Sequence, residues 1–388
     1  MATTHRERVR RALNHEATDR TPVDFGGSHE TGIQADAYAR LLKYLGLAPE
    51  LPQDWQSSDE ATVTPSETVL KRFDIDVRGV DARIQEVDSR RQVDSLTAVD
   101  GWGVVWQRAD MSSPYMNVRG PLQHLDSPSA SDVDAVPWVV AEHGRNIEGL
   151  RERLQRLRNE TDFALVVRLR NCGTLYLAQR LRGFTEYLED LLSNRAFAEA
   201  LQDRATEMVC AFAEAVLDEV GDLVDGVSFG DDLGMQTQTL LSPGLYRRMI
   251  KPYHARFVGT IRRHTDAKVI LHSCGAIRPL LGDLIDCGVD VINPVQVNAE
   301  GMDPTELKRN YGGNLCFWGG IDTQRVLPFG SPAEVADEVR RRMADLGQNG
   351  GYVLTAVHNI RAEVPPENIV AMYDTAIGRA TERGLITG

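Results

Sequence analysis

The sequence predicts a (β/α)8 barrel carrying an inserted hairpin and irregular segment near the barrel mouth. Three observations lead there. Eight short apolar runs alternate with stretches of helical periodicity along the 388 residues. The later runs are continuous rather than alternating, as strands covered on both faces should be. No G-x-G-x-x-G or G-x-x-x-x-G-K-[ST] fingerprint follows a strand, so a doubly wound open sheet ranks second.

Taken in order, TPVDFGG (21–27) and DIDVRGVDA (74–82) read as the first two strands. The alternation then breaks over about 83–140, where DGWGVVWQR and VRGPLQHLDSPSASDVDAVPWV read as a hairpin with flanks rich in Ser, Asp and Pro. It resumes with DFALVVRLRN (162–171), VDGVSFGDD (224–232), AKVILHSCG (267–275), VDVINPVQ (289–296), NLCFWGGID (314–322) and GYVLTAVHN (351–359). Between them, residues 197–220 space apolar side chains at helical intervals. A second long helix is expected over 242–264, with Pro252 as a kink or break. In SPAEV (331–335), Ser331, Pro332 and Glu334 make a capping box, and Asp303 repeats the scheme in DPTEL (303–307). No internal repeat with a period of roughly 20–50 residues interrupts this plan. Residues 1–388 therefore read as one domain with one insertion.

Composition narrows the function. The formal charge is −13 and no long basic block occurs, which argues against nucleic acid and anionic membranes as partners. No run reaches the roughly 18 apolar residues of a membrane span. The N-terminal stretch lacks an apolar signal core, and five cysteines make an odd count. Both features point to reduced thiols in the cytoplasm rather than a disulfide framework.

In a barrel of this kind chemistry gathers at the C-terminal ends of the strands. Those ends offer His29, Asn171, Asp231 and Asp232 followed by Gln236, His272 and Cys274, Gln296, Asp322, and His358. His272 and Cys274 stand two apart. In extended backbone both side chains point the same way, with Cα atoms about 6.5–7 Å apart. Imidazole plus thiolate suits zinc in a reducing cell. The alternative for an isolated H-x-C is a capping histidine beside a small buried thiol. His358, closing the last strand, faces the same mouth and is the third ligand expected. Asp231 or Asp232, with Gln236, are candidates for orienting substrate; the alternative is a solvated or helix-capping pair. Asn171, Gln296, Asp322 and His29 complete the substrate-facing set.

Several stretches together resemble one family. RERVRRALNHEATDRTPVDFG, FGDDLGMQ, SPGLYRRMIKPY, HSCGAIRPLLGDLIDCGVDVINPVQ, GGNLCFWGGIDTQRVLP and VPPENIVAMYDTA are similar to the uroporphyrinogen decarboxylase superfamily, nearly end to end. Within it the chain looks most like the zinc-dependent branch of corrinoid-linked methyltransferases. The resemblance implies a (β/α)8 barrel and zinc on the H-x-C motif, matched by His272 and Cys274. That branch places a cysteine where this chain has His358. It also carries an acidic residue near the position of Gln296. Porphyrinogen decarboxylases carry an arginine-rich segment at the first strand, and TPVDFGGSHETGIQ has no arginine. A D-x-H-x-x-G corrinoid segment is also missing, so a corrinoid would ride on a separate protein. The resemblance thus implies a zinc-dependent methyltransferase acting between a small oxygen- or sulfur-containing substrate and a corrinoid partner, with a homodimer favoured. A cofactor-free decarboxylase or lyase, and a barrel that binds a small ligand without turnover, are the alternatives.

Overall fold

The computed structural model describes residues 3–49, 62–84, 90–110, 113, 115–138 and 147–379. Seven parallel strands form one curled sheet: β1 (Val77–Ala82), β2 (Ala164–Leu169), β3 (Gly226–Gly230), β4 (Lys268–His272), β5 (Val291–Asn293), β6 (Cys316–Trp318) and β7 (Tyr352–Val353). Each pairs with its neighbours in chain order, as successive βα units dictate. These are the second to eighth strands expected from sequence. The first expected strand, 21–27, is reduced to a single parallel bridge between Val23 and Leu354. That short segment joins the sheet's two edges. Asp24 N–H donates to Leu354 O (3.0 Å), Leu354 N–H to Pro22 O (2.9 Å), and Asp76 N–H to Val23 O (3.0 Å). The curl is thereby closed into a (β/α)8 barrel. The helix breaks fall close to the prolines that predict them. The 242–264 stretch is split into Pro243–Met249 and Lys251–His264, with Pro252 in the first turn of the second piece. Pro332 opens Pro332–Leu346 behind its Ser331–Glu334 capping box.

The barrel interior explains where chemistry can sit. Side chains alternate across a strand, and the inward set at the lower end is apolar. Val77, Ala164, Val166, Ile270, Val291, Cys316, Trp318 and Val353 form a cluster with Val9 and Leu13. The last two belong to helix His5–Leu13, which plugs the N-terminal end. Each such aliphatic side chain contributes about 1.5–3 kcal/mol by leaving water. Two residues further along the same faces, the character changes. Asp81 follows Val77 and Gly79, Arg168 follows Val166, His272 follows Ile270, and Asn293 follows Val291. One period-2 pattern thus builds an apolar floor and a polar mouth.

The insertion is fuller than a hairpin. Arg91–Gln92, Thr97–Val99, Val105–Gln107 and Met116–Arg119 form a four-stranded antiparallel sheet. Asp100 organises its central turn, accepting from Trp102 N–H (3.0 Å), Val104 N–H (3.0 Å) and Trp106 Nε1 (2.9 Å). Arg180 Nη2 reaches the same carboxylate at 3.0 Å and fastens the insertion to helix Thr174–Arg182, the helix that follows β2.

Candidate metal centre

His272 is the last residue of β4, in register with Asn293 of β5. Its Nδ1 lies 2.6 Å from Asn293 Oδ1. Asn293 Nδ2 donates to Trp318 O (3.4 Å), so Oδ1 is the acceptor and Nδ1 carries the proton. This leaves Nε2 as the ring's lone-pair nitrogen, turned to the mouth. Burial pushes the His272 pKa below its ordinary 6.5, with the Asp232 charge opposing and His358 adding to the fall. The neutral imidazole is the form that binds metal.

Cys274 Sγ stands 3.5 Å from His272 Nε2. Tetrahedral zinc with ordinary bond lengths separates its nitrogen and sulfur ligands by about 3.6 Å. His358 is the third donor; ligand atoms of His272, Cys274 and His358 all lie within 4.8 Å of one another. The two imidazole rings are 5.5 Å apart and nearly perpendicular, at 68°. Among the described residues this is the one cluster of three or more His, Cys, Asp or Glu donors close enough to share an ion. The donor set and its spacing fit zinc.

Around this triad the remaining sequence candidates take different places. His29 is buried beside it, its ring 6.0 Å from that of His272 and its Nδ1 3.2 Å from Ser228 Oγ. Burial holds its pKa well below 6.5, with Arg170 reinforcing the shift. Asp232 accepts from Cys274 N–H (2.8 Å). Gln296 accepts from Gly275 N–H (2.7 Å) and donates to Gln236 Oε1 (3.2 Å). Gln236 in turn bonds the Asn298 carbonyl. Asp231 is 1% exposed and faces away, toward helix Thr174–Arg182. Asp322 accepts from Asn298 Nδ2 (2.6 Å) and from the amides of Gln324 (2.7 Å) and Arg325 (3.1 Å), capping its own loop. Asn171 sits just past β2 in the left-handed region, at φ 60°.

Sequence reasoning did not single out Glu30. It also adopts a left-handed backbone, φ 48°, a conformation that costs of order 1–3 kcal/mol in a non-glycine residue held at a site. Its carboxylate accepts from Arg170 Nη1 (3.0 Å) and from Asn359 Nδ2. Burial would raise its pKa, but Arg170 and the neighbouring histidines outweigh that and hold it below the carboxylate range. Alongside, Arg168 Nε meets Asp81 Oδ1 at 2.5 Å and Arg83 Nη2 meets Asp81 Oδ2 at 2.7 Å. The period-2 run Val166, Arg168, Arg170 was the available signal for this charged wall. Glu30, on a loop, had none beyond adjacency to His29.

A barrel with a polar mouth and an imidazole–thiol–imidazole triad at its strand ends defines a class: a TIM-barrel enzyme scaffold with a candidate metal centre. Comparison specifies the family. The model for uroporphyrinogen decarboxylase (URO-D) matches residues 117–378, and the chain belongs to that family. A uroporphyrinogen decarboxylase of Thermus thermophilus is 26% identical over 369 residues, covering 93% of this chain and 94% of the relative. The methylcobamide:CoM methyltransferase MtaA of Methanosarcina barkeri is 24% identical over 200 residues, covering 52% of this chain and 54% of its own. A solved methyltransferase from Methanosarcina mazei superposes with a TM-score of 0.66 at 18% identity, covering 97% of this chain and 98% of its own. That likeness establishes the fold.

Proposed function

We propose that this protein is a zinc-dependent methyltransferase, moving a methyl group between a small oxygen- or sulfur-containing substrate and a corrinoid held by a separate protein. The observation that carries the reading is the His272–Cys274–His358 triad, whose 3.5 Å nitrogen–sulfur separation suits a shared ion. The relationship to MtaA supports the same chemistry. His272, Cys274 and His358 would hold zinc and leave one position for substrate. Zinc bound there supplies a Lewis acid that polarises an ether oxygen or lowers the pKa of a thiol. The protein's own contribution is geometric. Asn293 fixes the His272 tautomer, and the buried His29 with the partly buried Glu30 walls one side of the triad. Gln236 and Gln296 present amide groups at the rim, where a polar substrate is oriented.

Metal analysis of carefully prepared protein tests the reading. Near-stoichiometric zinc is expected in the wild type, and its loss is expected in a His272→Ala, Cys274→Ala double variant. Wild-type protein without bound zinc, even after zinc is supplied, rejects it.

One observation favours a second reading. Arg83, Arg168 and Arg170 stand at the ends of β1 and β2 beside the arginine-free first loop, and a polycarboxylate substrate would bind them by displacing Asp81 and Glu30. With a decarboxylase of the named relatives' kind, activity would persist after complete chelation and release CO2 from an acidic substrate.

A further inference from the structure

We infer that residues 231–235, Asp-Asp-Leu-Gly-Met, form the positioning element of the metal centre, and that Asp231 and Asp232 work by accepting hydrogen bonds rather than by transferring protons. The inference rests on the metal-centre reading above. The strip lies against His272–Ala276 and meets it residue by residue. Asp231 N–H donates to the His272 carbonyl at 2.9 Å. Leu233 N–H donates to Ser273 Oγ at 3.0 Å. Cys274 N–H donates to Asp232 Oδ1 at 2.8 Å. Ala276 N–H donates to Met235 O at 2.8 Å.

Between these bonds two glycines cross. A Cβ on Gly275 would lie 2.5 Å from the Gly234 carbonyl carbon, and a Cβ on Gly234 would lie 2.6 Å from the Cys274 oxygen. Gly275 also needs its φ of +88°. The close packing of two bare backbones is therefore a requirement of the join. On the opposite side, Ser273 N–H reaches Asn293 O (2.7 Å) and Gly275 N–H reaches Gln296 Oε1 (2.7 Å). Both predicted ligands on this turn are held from two directions.

The strip is itself anchored. Asp231 accepts from Tyr176 N–H (2.6 Å), Leu175 N–H (3.1 Å) and Thr174 Oγ1 (3.3 Å), all at the start of helix Thr174–Arg182. His254 Nε2 lies 2.9 Å from the same carboxylate, and Tyr246 OH lies 2.9 Å from His254 Nδ1. A carboxylate that is fully buried, engaged by four partners and set at a helix N-terminus has its lone pairs committed and is closed to substrate. Asp232, next in sequence, then has its backbone fixed and its side chain free to reach Cys274. Orienting groups behind metal ligands set affinity as well as activity.

The experiment compares Asp232→Asn, Asp232→Ala and Gly234→Ala with the wild type. It reads zinc affinity by chelator competition, the visible spectrum of the cobalt-substituted protein, and methyl transfer, with near-UV circular dichroism as the check on folding. Asparagine keeps a side-chain acceptor but not the charge, so Asp232→Asn should retain the cobalt spectrum and the pH profile of methyl transfer and lose less zinc affinity than Asp232→Ala. Asp232→Ala and Gly234→Ala should each weaken zinc binding about tenfold or more and shift the cobalt bands. Unchanged affinity and spectrum in Asp232→Ala, with the wild type binding normally, overturns the inference alone. A pH profile of methyl transfer that loses a limb in Asp232→Asn also overturns it, by making the carboxyl a proton carrier. Failure of the wild type to bind either ion removes the metal-centre reading and this inference together.

Discussion

His272 can serve as a ligand because its other nitrogen is already committed. The bond from Nδ1 to Asn293 fixes which nitrogen faces the mouth, and burial keeps the ring neutral. Replacing Asn293 by alanine leaves Nδ1 without its acceptor and lets the ring turn. An Asn293→Ala variant should bind zinc about 10–100-fold more weakly, measured by chelator competition, with the fold retained. At this scale the sequence was informative where spacing carries geometry. The H-x-C pair needed only a strand, and His358 only a strand end. Roles were less legible where they depend on what lies opposite. Asp231 and Asp232 are neighbours in sequence, yet one caps a helix and the other holds Cys274. Nothing local distinguishes them. Glu30 was missed for the same reason, since Arg170 and Asn359 come from strand ends far along the chain.

Among elements, the least regular is the first. A strand is expected over 21–27, and only the Val23 bridge forms. Pro22 lacks an amide proton, and Gly26 turns at φ 82°, so the run is too short for a ladder. Asp76 compensates. It is fully buried and accepts from Arg8 Nη1 (2.6 Å), Arg20 Nη1 (2.7 Å) and Val23 N–H (2.8 Å). Asp76→Ala would take the buried anion from Arg8 and Arg20 and leave each with one partly exposed partner, Asp19 and Asp74, at a cost of about 1–3 kcal/mol. Urea unfolding of the variant should show that loss as a lower midpoint. The insertion was legible as a break in the βα rhythm, but its strand count was not. Its four short strands are paired across loops, and pairing of that kind is decided by tertiary contact rather than by propensity.

For the molecule as a whole, the barrel's two ends carry opposite duties. The upper end gathers the candidate site, while the lower end is tied by ion pairs. His5 bridges Asp74 (2.9 Å) and Asp162 (3.0 Å), and Arg8 meets Asp19 at 2.7 Å. The hydrogen bond from Arg8 holds the Asp19 carboxyl at about 2, against an ordinary 3.8. Burial would raise Asp74 and Asp162, but their bonds to His5 outweigh it and both are lowered. Carboxylates depressed by folding bind fewer protons in the native state than in the unfolded one. Their contribution is complete above the ordinary 3.8 and is lost as pH falls through about 2. Unfolding free energy measured against pH should therefore drop below about pH 3.8 from these carboxylates, on top of a loss that begins below 6.5, where the unfolded chain protonates His29 and His272 and burial keeps them neutral in the fold. The apolar floor was legible at this scale because a parallel barrel buries both faces of its strands. The polar strand ends were legible too; which of their residues share a layer emerged only once the strands were in register.

The join between the first and last staves has a mechanical consequence. Residues 22–24 meet β7 through one bridge, and just above it Gly32 N–H reaches Asn359 Oδ1 (2.8 Å) while Ile360 N–H reaches Gly32 O (2.9 Å). His358 hangs on this seam, whereas His272 and Cys274 hang on the firmly laddered β4. An ion gripped by all three would act as a hoop across the rim, tying this short-runged joint to β4. Emptying the site would then slacken the whole cask from its lip downward.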